Sequence, residues 1–70
     1  MNIQVQCWRD GAPRMFLLGV RWLHVTSVLD RIVEQSAQRF RLLVADGREF
    51  VLCRDALSGD WQLAAVRPRR

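Results

Sequence analysis

Residues 40–63 constrain the fold of this chain more than any other stretch. They read Phe-Arg-Leu-Leu-Val-Ala-Asp-Gly-Arg-Glu-Phe-Val-Leu-Cys-Arg-Asp-Ala-Leu-Ser-Gly-Asp-Trp-Gln-Leu, in which two turn signals, Asp46-Gly47 and Ser58-Gly59-Asp60, separate three strand-like runs. Glycine supplies the positive φ that hairpin turns need, and aspartate hydrogen-bonds locally beside it. Phe40, Leu42, Phe50, Leu52, Trp61 and Leu63 recur at the period of two that buries one face of a strand. The pattern predicts a three-stranded antiparallel meander with that set as core.

The remainder can be laid against this meander. Residues 2–8 alternate, with Ile3, Val5 and Cys7 on the inward side and Gln4, Gln6 and Trp8 on the other. Arg9-Asp10-Gly11-Ala12-Pro13 reads as a turn, with Pro13 interrupting any ladder, and residues 14–18 form a short strand carrying Phe16 and Leu18 inward. Gly19-Val20 suits a two-residue hairpin turn.

Residues 21–35 are ambiguous, because Val28-Leu29 falls out of phase with Leu23 and Val25. A bulge near Thr26-Ser27 would return that pair to the inward direction. A helix over 27–38 is the competing reading, but its face would be poorly apolar, and Val25, Thr26, Val28, Ile32 and Val33 are β-branched. A long bent strand is therefore expected, with Gln35-Ser36-Ala37-Gln38 as the turn that follows it.

The prediction is an all-β domain: a small, strongly twisted antiparallel meander of five to six strands curled into a barrel or roll. It spans residues 1–66, and 67–70 form a basic, frayed tail. Seventy residues allow one domain at most, and the three Trp and three Phe are bulky enough to fill its interior. The chain has eleven Arg, no Lys and a net charge of +4, and three of those charges sit in Arg67, Arg69 and Arg70.

No apolar run approaches the ~20 residues needed to span a bilayer. Cys7 and Cys53 lack CxxC spacing and no secretory leader is visible, so a cytoplasmic protein with reduced thiols is expected.

Catalytic patterns are missing. His24 is the single histidine, the glycines are dispersed, and Ser27, Ser36 and Ser58 lie outside any nucleophile-elbow context. Asp10, Asp46 and Asp60 adjoin turn glycines, where local hydrogen bonding accounts for them. The expectation is a non-enzyme without cofactor, metal or small-molecule substrate.

Two surfaces remain. Trp8, Met15, Leu17, Trp22, Val51 and Cys53 fall opposite their strands' main apolar sets and form a candidate protein-binding or self-association surface. Arg39, Arg41, Arg48, Arg54, Arg67, Arg69 and Arg70 are the candidate contacts of the alternative function, a small barrel that binds single-stranded nucleic acid. At the corner formed by Arg54, Asp55 and Trp61, Asp55 is expected to close the loop on backbone N–H groups while Arg54 pairs with Asp60 or stacks on an indole.

The ordered set Ile3-x-Val5, Gly11-x-Pro13-Arg14-x-Phe16, Gly19-x-Arg21-x-Leu23-x-Val25-x-x-Val28-Leu29-Asp30, Phe40-Arg41-Leu42, Gly47-x-x-Phe50-x-Leu52-x-Arg54-Asp55 and Ser58-Gly59-x-Trp61-x-Leu63 resembles a family of small bacterial domains of unknown function. Such domains occur free-standing or following Y-family-polymerase-like proteins of the bacterial mutagenic repair cassette. The resemblance implies an accessory role in DNA damage tolerance, with no assigned activity. This chain carries Leu23, Ile32 and Cys53 where such domains often have aromatic residues.

Overall fold

The computed structural model describes residues 2–68. Its strands are β1 (Asn2–Ile3), β2 (Val5–Cys7), β3 (Pro13–Leu18), β4 (Arg21–Val33), β5 (Ala37–Val44), β6 (Glu49–Asp55) and β7 (Trp61–Arg67). They form one antiparallel sheet in the order β1-β7-β6-β5-β4-β3-β2. Because β1 and β2 belong to one run of chain, their pairing with the two ends of that order curls the sheet into a nearly closed barrel. The all-β reading holds, with seven strands instead of five to six.

The extra strand comes from a break at Gln4. Asn2 and Ile3 pair with Gln62 and Trp61 of β7, while Val5 and Gln6 pair with Phe16 and Met15 of β3. A single strand cannot lie flat against both edges, so the chain bends between them, and the Gln4 carbonyl accepts the Leu17 N–H at 3.0 Å.

Two local expectations change here. Pro13 opens β3 and is fully buried; at the first position of a strand its missing N–H costs nothing. Cys7 is exposed instead of inward, because the register shifts between Gln6 and Cys7.

The interior is an aromatic and aliphatic cluster of Phe16, Phe40, Leu42, Val44, Phe50, Leu52 and Trp61, with Ile3, Val5, Leu18, Leu23, Val25 and Leu63 packed against it. Phe16 and Phe50 meet edge to face at 5.0 Å, and Phe40 lies 5.4 Å from the Trp61 ring. Of the inward set read from 40–63, Phe40, Leu42, Phe50, Leu52 and Trp61 are buried core, while Leu63 stays half-buried against them. Phe16 is the one fully buried aromatic supplied from outside that stretch, and it locks the β2–β3 half of the barrel to β6.

Turn chemistry follows the sequence. Gly19 has φ +64° before a fully exposed Val20. In the β5–β6 loop the Gly47 N–H closes onto the Val44 carbonyl at 2.9 Å, and Gly47 then takes φ +92°. The turn after β4 closes from Glu34 N–H to the Ala37 carbonyl at 2.8 Å, one residue earlier than expected.

Residues 21–33 are a strand, and its register against β5 shifts twice, between Val25 and Ser27 and between Val28 and Asp30. The first shift is the expected bulge, while the second, at Leu29, has no sequence counterpart. Together they convert a period of two into three, so Val25, Val28 and Arg31 lie opposite Val44, Leu42 and Phe40. The expected burial of Val28-Leu29 does not follow: they remain 41% and 40% exposed. The physical reason is length. β3 contains six residues and pairs with β4 only over Arg21 to His24, so no described strand covers the far half of the thirteen-residue β4.

Candidate functional site

Pairing across the sheet places the arginines of β5 and β7 on the outer wall. Arg39 lies opposite Cys53, Arg41 opposite Val51, and Arg67, the last residue of β7, opposite Glu49. Glu49 sits between two of them, with Oε1 at 3.5 Å from Arg41 and Oε2 at 3.8 Å from the Nε of Arg67. Arg48 is held by Asp46 at 2.7 Å and lies 5.2 Å over the Phe50 ring. Such pairs at the surface contribute little stability, and two carboxylates shared by three arginines offset the positive charge of the wall only in part.

Arg39 makes no ion pair among the described residues. A hydrogen bond to Cys53 is the main cause that holds its guanidinium protonated above the ordinary arginine range. Arg54 is at the end of β6, away from this row. Arg69 and Arg70 lie outside the described residues.

The apolar candidates separate into three places. Leu17 pairs directly with Trp22 and Met15 with His24, so Met15, Leu17 and Trp22 share a half-buried outer face of the β3–β4 hairpin. Trp8 is in the turn after β2, 58% exposed, under the guanidinium of Arg14 at 5.0 Å. Val51 and Cys53 belong to β6 and are flanked by Arg41 and Arg39. β5 and β4 separate them from β3, so the six residues are not one surface.

The Asp55 corner is a structural clasp. Asp55 Oδ1 accepts the N–H groups of Leu57 and Ser58 at 2.8 and 3.2 Å, and the Asp55 N–H donates to the Asp60 carbonyl at 2.9 Å. Arg54 forms neither the ion pair with Asp60 nor the stacking on an indole that the sequence suggested; one guanidinium nitrogen instead lies 3.6 Å from where a Cβ on Gly59 would stand. Gly59 has φ +75°, a backbone conformation that favours glycine. Beside the clasp lies an open hollow of about 270 Å³ bordered by Ser36, Cys53, Asp55, Asp60 and Gln62. Among the described residues no three His, Cys, Asp or Glu side chains converge as metal ligands, and no helix is long and apolar enough to cross a membrane.

Open strand edges were expected of so small a sheet, but sequence reasoning did not locate the free one on β4. From Val25 to Val33 this strand pairs with β5 on one side, and on the other no described strand accompanies it. Val28, Leu29, Ile32 and Val33 are all exposed there, Val33 by 68%. Arg31 reaches back over the Phe40 ring at 5.1 Å and donates to Gln38 Oε1 at 3.2 Å. The available signal was the unequal length of the two strand-like runs on either side of Gly19-Val20.

No family model, no curated protein and no solved structure matches this chain.

Proposed function

We propose that this chain is a non-catalytic protein-interaction module that receives an extended partner strand along the free edge of β4. The single observation that carries this reading is that four exposed large hydrophobics lie within 28–33, on a stretch lacking a second strand neighbour. Unpaired strand edges bind other strands through their backbone groups, with alternate side chains setting specificity. The resemblance to small bacterial domains supports an accessory role in DNA damage tolerance.

Single-stranded nucleic-acid binding is the second reading, favoured by Arg39, which stands on the outer wall without an ion pair among the described residues. It has less support, because Arg41, Arg48 and Arg67 already face carboxylates. The test is affinity capture from extract of the source cells, using the wild type and the edge-blocked variant Ile32→Lys/Val33→Lys, with and without nuclease. Both positions are exposed, so lysine leaves the core intact. The expected outcome is a protein retained by the wild type, lost by the variant and unaffected by nuclease. Equal retention by both chains refutes docking on this edge, and retention abolished by nuclease favours the second reading.

A further inference from the structure

Resting on the reading of the β4 edge as a docking strand, we infer that its occupant is an antiparallel strand of a different protein with the pattern cation, aliphatic, aliphatic, acid, cation. The pattern follows from the side chains the edge presents. Beyond the bulge at Leu29 the strand is regular, and its register assigns the faces. Asp30 and Ile32, paired with Arg41 and Arg39, lie on the outer face; Arg31 and Val33, paired with Phe40 and Gln38, lie on the inner one. Glu34, next in the chain, ends the edge.

An added antiparallel strand sets each of its residues directly opposite one of these, on the same face. Read from its N-terminus it meets Glu34, Val33, Ile32, Arg31 and Asp30 in turn. A cation, two aliphatics, an acid and a cation complement them one by one. Arg31 is the anchor of this match. It makes no ion pair among the described residues, and Gln38 and the Phe40 ring hold its guanidinium at the core's margin with donors to spare.

A second copy of this chain does not satisfy the same edge. A two-fold pairing sets residues equidistant from its centre opposite each other. Centring on Asp30 or Arg31 opposes that charge to itself, and centring on Ile32 opposes Asp30 to Glu34. Centring on Val33 sets Ile32 against Glu34. Each register places like charges together or an apolar side chain against a charge, which disfavours the pairing.

The experiment uses two fluorescein-labelled nonapeptides, Thr-Thr-Lys-Val-Ile-Glu-Lys-Thr-Thr and its charge-reversed form Thr-Thr-Glu-Val-Ile-Lys-Glu-Thr-Thr, titrated with the full chain and followed by anisotropy. The first is expected to bind about tenfold more tightly, the sum of three modest cross-strand charge pairs. The variant Asp30→Lys/Arg31→Glu, checked for a native melt, is expected to invert the preference. Equal affinity, or no binding of either peptide to the wild type at millimolar protein, overturns the inference. If the peptides fail while Ile32→Lys/Val33→Lys still abolishes capture, the partner's chemistry is wrong and edge docking stands. If both fail, the docking reading falls with it.

Discussion

Phe16 offers the sharpest test of how the barrel is closed. Its ring is fully buried and contacts Phe50 edge to face at 5.0 Å, joining β3 to β6 across the interior. Replacing a buried Phe by Ala costs about 3–5 kcal/mol, counting both lost transfer energy and the residual cavity. A domain of this size has on the order of 4–10 kcal/mol of total stability at the usual ~0.05–0.15 kcal/mol per residue. Phe16→Ala is therefore expected to lose a third or more of its stability and to sit near the unfolding threshold at room temperature. Phe16→Leu keeps most of the volume and forfeits chiefly the ring contact, worth about 0.5–1.5 kcal/mol. The assay is urea denaturation followed by both tryptophan fluorescence and far-UV circular dichroism, with Phe50→Leu and the double variant completing a cycle. If the barrel is one cooperative unit, Phe16→Ala lowers the midpoint at constant slope in both signals. An unchanged midpoint would show that the ring is not in the core. A clearly reduced slope would show that β2 and β3 detach separately, refuting closure as a single packed unit.

Two further outcomes follow from the geometry. Gly47→Ala forces a side chain onto φ +92° in the β5–β6 hairpin and is expected to cost about 1–2 kcal/mol, read as a lower urea midpoint. Burial around its sulfur is the largest influence on Cys7 and pushes the thiol up from its ordinary range, even though the residue as a whole is exposed; Arg54 offsets this in part. Iodoacetamide at mildly alkaline pH is therefore expected to modify Cys7 more slowly in the folded chain than in urea. Since the folded thiol holds its proton longer than the unfolded one, this group's contribution to stability is intact below the unfolded pKa and lost as pH rises through the folded one. Equal alkylation rates in the two states would contradict the burial.

How much of this was legible in sequence depended on whether a residue's face is set by its own strand or by its neighbours. Phe40, Leu42, Phe50, Leu52 and Trp61 were readable as core because simple alternation carries each of them inward between glycine turns. Asp55 was readable as a loop clasp because its acceptor serves N–H groups two and three residues on. The break at Gln4, the second bulge at Leu29 and the strand opening at Pro13 were not, since each is a matter of register against neighbouring strands that alternation within one strand does not reveal. The same holds for the surface. Alternation identified Leu17, Trp22, Val51 and Cys53 as outward, but strand order decides that the first two adjoin and the last two lie among arginines.

The β4 edge also carries features that disfavour pairing with a second copy of itself. Long, flat, apolar edges aggregate, and natural sheets blunt them with bulges and with charges. Both devices are present on this strand, in the register shifts around Thr26 and Leu29 and in Asp30 and Arg31 between the exposed aliphatics. A β4 matched to the six residues of β3 would shift the unpaired edge onto β5, beside Leu42 and Phe40. The strand continues past its neighbour and carries opposite charges side by side, so pairing with its own copy sets like charges together or an apolar side chain against a charge, while a strand of reversed charge is complementary. On the proposed reading, length without cover and charge that disfavours self-pairing both serve the docking of a different strand.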